Sequence, residues 1–197
     1  VQNSLLPTHL PIVEKLDLWA KSQSAKQVGG DFYDMQLSPQ GDFYFCLGDV
    51  SGKGVSASLL MSMLLMIFRN ELRSGRKMEP GSLLQHINQA TYPEFTDSGK
   101  FATLFIGCFK PQNRLLRYAN AGHSPVLFCD LEREPQLLEA NNVPIGVLPD
   151  IQPEESEIPI NAGHTFLVGS DGLNETRDSE GRLFGIDGLR QVLNDTK

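Results

Sequence analysis

Short runs in which apolar and polar residues alternate predict most of the strands of this chain. Residues 16–20 alternate in this way, which predicts a strand with one buried face. Residues 43–47 follow a turn-forming sequence at 38–42 and predict a second strand. Further strands are predicted at 101–109, 115–119, 126–129, 136–138 and 165–169, with a tight turn at 111–113.

Two helical runs lie together between the second and third of these strands. Residues 56–73 predict a long, largely apolar helix, and residues 82–92 predict another. A third helix is predicted from about Gly188 to the chain end. Because the helices are inserted as a block and do not alternate with strands, the pattern favours an α+β fold with antiparallel sheets over a parallel doubly wound sheet. The first helix holds three methionines, for which core packing is favoured over a groove for a partner helix: Met61, Met63 and Met66.

Composition and charge exclude several classes of protein. At 197 residues the chain has the length of one domain, and its net charge of −7, with no basic cluster, does not predict binding to nucleic acid. No membrane span is expected, because the most apolar segment, 57–68, is too short to cross a bilayer. Residues 1–7 do not have the pattern of a secretory signal. The acidic run 154–157 is typical of a solvated loop or a sheet edge.

The cysteines indicate a reducing compartment. Cys46, Cys108 and Cys129 are odd in number, widely spaced and embedded in apolar runs, so they are predicted to be buried free thiols. Their spacing is not that of a zinc site. We therefore expect a cytoplasmic protein.

Three aspartates lie next to glycines, and each is interpreted as ending an apolar strand. Asp31 follows Gly29-Gly30, Asp49 follows Gly48, and Asp171 precedes Gly172. Each alone could be a turn former or a helix cap, but three such carboxylates could converge at one rim of a sheet assembly. Oxygen ligands without His or Cys are those that magnesium or manganese prefers. The set therefore favours a Mg²⁺ or Mn²⁺ site over three unrelated turns.

Other patterns carry weaker chemistry. The sequence around Lys53 has the wrong spacing for a phosphate-binding loop, and no Gly-x-Ser-x-Gly elbow for a serine nucleophile occurs. The tetrapeptide Asn-Ala-Gly-His occurs twice, ending at His123 and at His164. Both copies are interpreted as turns between strands, and neither histidine is favoured as a metal ligand.

Five motifs in order give the chain a family resemblance. They are Val28-Gly-Gly-Asp-Phe-Tyr-Asp34, Gly48-Asp-Val-Ser-Gly-Lys-Gly54, Asn120-Ala-Gly-His-Ser-Pro125, Pro144-Ile-Gly146, and Ser170-Asp-Gly-Leu-Asn-Glu-Thr-Arg-Asp178 with Phe184-Gly185. Over about residues 3–190 the chain is similar to the SpoIIE/RsbU branch of the PPM-type metal-dependent Ser/Thr protein phosphatases.

The resemblance implies a fold, a site and an activity. The fold would be a sandwich of two antiparallel β-sheets flanked by helices. Two Mn²⁺ or Mg²⁺ ions would be held by Asp31, Asp49, the backbone carbonyl of Val50 and Asp171, with Asp49 bridging both ions. The implied reaction is hydrolysis of phosphoserine or phosphothreonine on a regulatory partner protein in bacterial signalling and sigma-factor control, without a phosphoenzyme.

The resemblance is incomplete at the C-terminal end. The family usually ends with a strand carrying Asp-Asp-x-Thr, of which Asn194-Asp195-Thr196 is a faint echo with no apolar strand after it. Asp195 is therefore a poor candidate ligand, and the second metal site is less strongly expected than the first. The phosphatase-like domain is predicted over residues 16–197, without the usual final strand.

The resemblance also suggests a setting for the domain. Residues 1–15 are similar to the segment that joins such domains to an upstream receiver or PAS domain, as in a C-terminal output domain of an RssB-like response regulator. An alternative function follows from that setting: a degenerate phosphatase fold that acts as an adaptor and engages a sigma factor for regulated proteolysis. Oligomer formation is possible in either case.

Overall fold

The computed structural model describes residues 4–23 and 29–195. The strands are β1 (Phe32–Leu37), β2 (Phe43–Val50), β3 (Ala102–Lys110), β4 (Leu115–Ala121), β5 (Val126–Cys129), β6 (Gln136–Leu137), β7 (Ser156–Pro159) and β8 (Thr165–Val168). The helices are α1 (Val55–Arg73), α2 (Pro80–Ser98), α3 (Asp171–Asn174) and α4 (Gly185–Asp195).

The described strands form two antiparallel sheets. The larger sheet has the order β1-β2-β3-β4-β7, and the smaller has the order β6-β5-β8. In the larger sheet Phe32 pairs with Gly48, so β1 begins at the end of the sheet where β2 finishes. At that same end Asp49 lies opposite Thr103 on β3.

The two sheets pack face to face, with helices on both outer faces. Alternate residues of β2 and β3, such as Tyr44 and Leu104, join α1 and α2 in the main core. On the far side, Leu189 and Leu193 of α4 pack on Leu127 of β5. The order of layers is thus helices, larger sheet, smaller sheet, helix, which confirms the predicted α+β sandwich.

Aromatic rings fill the space between the sheets. Phe105 of β3 lies between Phe45 and Tyr118, with ring centroids 5.7 Å and 5.4 Å away. Phe166 of β8 reaches across from the smaller sheet, 5.7 Å from Phe105. Because strand side chains alternate between faces, Phe45, Phe105 and Tyr118 share one face of the larger sheet. Their contacts with Phe166 hold the two sheets together.

One predicted strand is wrong. Residues 16–20 form no strand in the structure, although their burial does alternate, with Leu16 and Leu18 half-buried and Trp19 80% exposed. The alternation arises because Leu16 and Leu18 pack against Phe43, Phe109 and Leu116, without a hydrogen-bonded ladder to a neighbouring strand.

The acidic run at 154–157 and the methionines behave largely as predicted. Ser156–Pro159 forms β7, the edge strand of the larger sheet beside β4. Met61 is fully buried in the core, whereas Met66 is 54% exposed. The helices are longer than predicted, and α2 continues through Pro93 to Ser98.

One described helix, α1, is long and apolar enough to cross a membrane by length and composition alone. Its eight buried residues, however, face the domain: Ala57, Leu60, Met61, Leu64, Leu65, Phe68, Glu71 and Leu72. Seven of these residues, all but Glu71, belong to the main core. A core helix passes the same test of length and hydropathy, so the finding does not indicate a span.

A buried ion pair joins α1, β1 and the N-terminal segment. Asp34 is fully buried and pairs with Arg69 of α1. Its Oδ1 also accepts hydrogen bonds from the Met35 backbone N–H at 2.8 Å and from Gln36 at 3.2 Å. Arg69 in turn donates to the Leu5 carbonyl at 2.6 Å. Residues near the chain start are therefore tied to the strand that begins beside Asp31.

We expect Asp34→Ala to destabilise the domain by about 3–5 kcal/mol, because it leaves the Arg69 guanidinium without its buried partner. The free energy of unfolding in urea measures this loss. Glu14→Ala is the matched control, since Glu14 pairs with Lys15 but its side chain is 75% exposed. That variant should change stability by less than about 0.5 kcal/mol, and equal losses in the two variants would contradict the prediction.

Candidate functional site

The larger sheet brings Asp31 and Asp49 to the same open end of the sandwich. Asp31 does not end a strand, as the sequence suggested, but directly precedes β1, because the apolar alternation begins only at Phe32. Asp49 is the penultimate residue of β2. Since side chains alternate along a strand, Asp49 lies on the same face as Phe43 and Phe45, toward the smaller sheet. The β1–β2 pairing therefore places both carboxylates at the gap between the sheets.

Asp171 reaches this end from the smaller sheet. It follows β8 by three residues and is the first residue of α3. The preceding Ser170 donates a hydrogen bond from Oγ to Asp31 Oδ2 at 2.8 Å. This bond joins the end of the smaller sheet directly to the start of β1, so all three predicted aspartates lie around one end of the sandwich.

The carboxylates of Asp31 and Asp49 contact each other. Burial, a hydrogen bond with Asp31 and the negative charges of Asp31 and Asp171 together raise the pKa of Asp49 from 3.8 to about 7. Such a cluster favours either a proton on Asp49 or a cation between the carboxylates.

Gly30 lies directly against two oxygen atoms of the site. A Cβ at this position would lie 2.3 Å from the Val50 carbonyl oxygen and 2.6 Å from Asp49 Oδ1. Any side chain would therefore displace both oxygens, so the close approach requires glycine. The backbone N–H of Val50 donates to the Gly30 carbonyl at 3.3 Å and fixes this arrangement.

Ser51 and Lys100 hold the next stretch of backbone. Ser51 N–H donates to the Phe101 carbonyl at 2.8 Å, and Phe101 N–H donates back to Ser51 Oγ at 3.0 Å. The Lys100 ammonium donates to the Ser51 carbonyl at 3.3 Å. Sequence reasoning did not single out Lys100, because no motif links it to a position 49 residues earlier.

His123 lies in the turn between β4 and β5, as predicted, and its side chain packs near the acidic centre. Its side chain is almost fully buried, and its Nδ1 lies 3.0 Å from the hydroxyl oxygen of Thr103, the residue opposite Asp49. Burial lowers its pKa to about 4, while the Gly169 backbone and Asp31 act in the opposite direction. The sequence signals for this residue were the tetrapeptide repeat and the motif at 120–125, neither of which assigned it a role.

The donor set fits a divalent cation only in part. Asp31, Asp49 and the Val50 carbonyl supply hard oxygen atoms, and Asp171 adds negative charge nearby. Among residues 4–23 and 29–195, however, no group of three His, Cys, Asp or Glu side chains is arranged to hold a metal ion. Asp195 is the last residue of α4, the helix that packs on the outer face of the smaller sheet.

A family model supplies the assignment. The model described as Stage II sporulation protein E (SpoIIE) matches residues 39–197, a range that includes Asp49 and Asp171. The chain belongs to the SpoIIE family. The predicted resemblance to the SpoIIE/RsbU branch is thereby confirmed for the domain itself.

Two curated relatives extend over nearly the whole chain. The phosphoserine phosphatase RsbU of Bacillus subtilis is 29% identical over 184 residues, which cover 93% of this chain and 54% of RsbU. The protein IcfG of Synechocystis is 28% identical over 217 residues, which cover 98% of this chain and 34% of IcfG. This SpoIIE-family chain thus spans about a third to a half of the length of these relatives.

Solved structures confirm the phosphatase-type fold. The SiaA-PP2C domain of Pseudomonas aeruginosa superposes with a TM-score of 0.72 at 24% identity, covering 85% of this chain and 66% of that one. RsbX in complex with magnesium superposes with a TM-score of 0.63 at 17% identity, covering 90% and 84%. The predicted PPM-type phosphatase fold is therefore confirmed.

We expect Asp49→Asn to remove a pH-dependent loss of stability from the metal-free domain. The pKa of Asp49 is higher in the folded state than its unfolded value of 3.8, so folding favours the protonated carboxyl. That stabilisation is complete below about pH 4 and is lost as the pH rises through about 7. With a chelator present, the wild-type unfolding free energy should fall more between pH 5 and pH 8 than that of the variant.

The control for this prediction is Asp150→Asn, which changes an exposed loop carboxylate. It should follow the wild-type pH dependence. Parallel curves for wild type and Asp49→Asn would show that the carboxylates do not oppose each other in the folded domain.

We expect Gly30→Ala to destabilise the domain by about 1–3 kcal/mol, since the added Cβ overlaps the Val50 carbonyl oxygen and Asp49 Oδ1. Urea unfolding measures the loss. Gly29→Ala is the neighbouring control, because the nearest atom to its Cβ would be 4.0 Å away. A Gly30→Ala variant as stable as Gly29→Ala would show that Gly30 is not closely packed against these two oxygen atoms.

Proposed function

We propose that this domain hydrolyses phosphoserine or phosphothreonine on a regulatory partner protein, with Mn²⁺ or Mg²⁺ bound at the acidic centre. The observation that carries the proposal is the convergence of Asp31, Asp49 and Asp171 at one end of the sandwich, where burial and the neighbouring carboxylates raise the pKa of Asp49 to about 7. A divalent cation would offset the opposed charges at neutral pH. The family and the name of RsbU, a phosphoserine phosphatase, support this activity.

Each residue of the centre has a definite role in the proposal. Asp31 and Asp49 would hold metal through their carboxylates, and Val50 would contribute its backbone carbonyl. Asp171 would bind from the end of the smaller sheet. Ser170 holds one Asp31 oxygen by its hydrogen bond at 2.8 Å, which limits the orientations that this carboxylate can take.

The bound ions would supply the charge that activates a water molecule and stabilises the phosphoryl oxygens. The proposed reaction needs no covalent nucleophile. The Ser51 hydroxyl accepts the Phe101 backbone N–H at 3.0 Å and serves the local backbone. His123 bonds Thr103, and its lowered pKa, about 4, keeps the imidazole neutral at pH 7.

The proposed setting is a bacterial signalling chain that controls a sigma factor. An upstream receiver or PAS domain would regulate the activity through residues 1–15, as in the output domain of an RssB-like response regulator. The hydrogen bond from Arg69 to the Leu5 carbonyl gives such a signal a physical connection to α1 and, through Asp34, to β1. We infer a cytoplasmic location, in keeping with three free, buried cysteines.

A second candidate function is a binding module. The described residues contain no three-member cluster of metal-binding side chains, and Asp195 belongs to the helix on the outer face of the smaller sheet. The same fold would then act as an adaptor that engages a sigma factor for regulated proteolysis. Such an adaptor would bind its partner without metal.

The deciding experiment measures phosphate release from a phosphoserine-containing protein, phosphorylated casein, as Mn²⁺ is titrated. We expect saturable release by the wild type and a fall of at least about 100-fold in Asp49→Asn. Asp150→Asn should retain the wild-type rate. Equal rates in wild type and Asp49→Asn would refute the enzymatic proposal. No release at any Mn²⁺ concentration, with sigma-factor binding retained in Asp31→Ala, would favour the adaptor.

A further inference from the structure

The two Asn-Ala-Gly-His turns share a sequence but use their histidines differently. In the second copy, His164 N–H donates to the Asn161 carbonyl at 3.1 Å, and Asn161 N–H donates to His164 Nδ1 at 3.3 Å. The imidazole of His164 thus accepts a hydrogen bond within its own turn. Its ring packs edge-on against Phe128, with the ring centroids 5.2 Å apart.

In the first copy, the asparagine side chain makes the hydrogen bonds within the turn. His123 N–H donates to Asn120 Oδ1 at 2.8 Å, and Asn120 Nδ2 donates to the His123 carbonyl at 2.9 Å. Asn120 is fully buried, so this pair of bonds is shielded from water. Because Asn120 bonds the backbone of this turn, the imidazole of His123 is available for other contacts.

The His123 ring contacts the strand that lies opposite Asp49. Its Nδ1 is 3.0 Å from Thr103 Oγ1, and Thr103 pairs with Asp49 across β2 and β3. Two residues after His123, the Pro125 carbonyl accepts a hydrogen bond from Gly169 N–H at 2.9 Å, and the next residue, Ser170, bonds Asp31, so this turn lies near the Asp31 carboxylate. Its Nε2 is buried and has no hydrogen-bond partner among the described residues. An orphaned buried nitrogen is costly, by about 1–3 kcal/mol, unless it gains a partner in another state.

We propose that His123 is a positioning residue for the metal centre: Thr103 anchors its Nδ1, and its Nε2 supports the Asp31 carboxylate, directly or across one water, when metal is bound. The inference rests on the proposed metal-dependent function. With the Thr103 hydroxyl donating to Nδ1, the neutral ring carries its proton on Nε2, the nitrogen that then donates toward Asp31. Ser170 would hold Asp31 on its Oδ2 and His123 would limit its remaining freedom.

Two amide substitutions separate the roles of the two nitrogens. His123→Gln keeps a polar atom near the position of Nε2, whereas His123→Asn keeps one near Nδ1, beside Thr103. Mn²⁺ affinity is measured by isothermal titration calorimetry, and the thermal midpoint without metal reports the fold. Removing an outer partner of a metal ligand typically weakens metal binding by about 10- to 100-fold. We expect that loss in His123→Asn and less than about a 3-fold change in His123→Gln.

Further variants keep the test decisive if an amide disturbs packing. Thr103→Val retains His123 and the side-chain shape but removes the hydroxyl that anchors Nδ1, and it should also weaken Mn²⁺ binding. His164→Ala changes the identical sequence in the other turn and should bind Mn²⁺ as the wild type does.

The outcomes separate this inference from the proposed function. Wild-type affinity in both His123→Asn and Thr103→Val would overturn the positioning role while leaving the metal site intact. Wild-type affinity in His123→Asn with weak binding in His123→Gln would also overturn it, because Nδ1 alone would then matter. A wild-type domain that binds no Mn²⁺ would overturn the proposed function and this inference together.

Discussion

Carboxylates that touch repel each other once both are ionised, and the open end of this sandwich depends on how that repulsion is relieved. Asp31 and Asp49 are held in contact by the β1–β2 pairing, and Asp171 adds a third charge from the smaller sheet. The strands cannot move apart without exposing the core beneath them. A proton at low pH or a cation at neutral pH would neutralise part of this charge and so relieve the repulsion.

The rigidity that keeps the carboxylates together comes from both faces of the larger sheet. On one face, α1 and α2 bury the main core, and the Asp34–Arg69 pair ties β1 to α1. On the other face, Phe105 and Phe166 bring the two sheets into contact. The position of Asp31 is therefore fixed by β1, and the position of Asp171 is fixed by the smaller sheet, to which Phe166 belongs.

Several features of the site follow from residues whose importance appears only in space. Lys100 and Ser51 are 49 positions apart in the sequence and share one hydrogen bond at 3.3 Å. Thr103 and His123 are 20 positions apart, yet they connect the strand opposite Asp49 to the turn after β4. Neither pair has a sequence signature, because a single hydrogen bond between distant elements imposes no spacing on the chain.

The sequence by itself determined the strands with a hydrophobic run, the two long helices, the α+β class and the three aspartates beside glycines, because these depend on local periodicity and backbone freedom. It did not determine that residues 16–20 pack on the sandwich without pairing, since alternating burial has the same pattern with or without a ladder. Identical Asn-Ala-Gly-His turns also look alike in sequence. Only the tertiary structure decided that the imidazole of His164 bonds within its own turn while that of His123 is buried against Thr103, because this difference depends on the neighbours that each turn contacts.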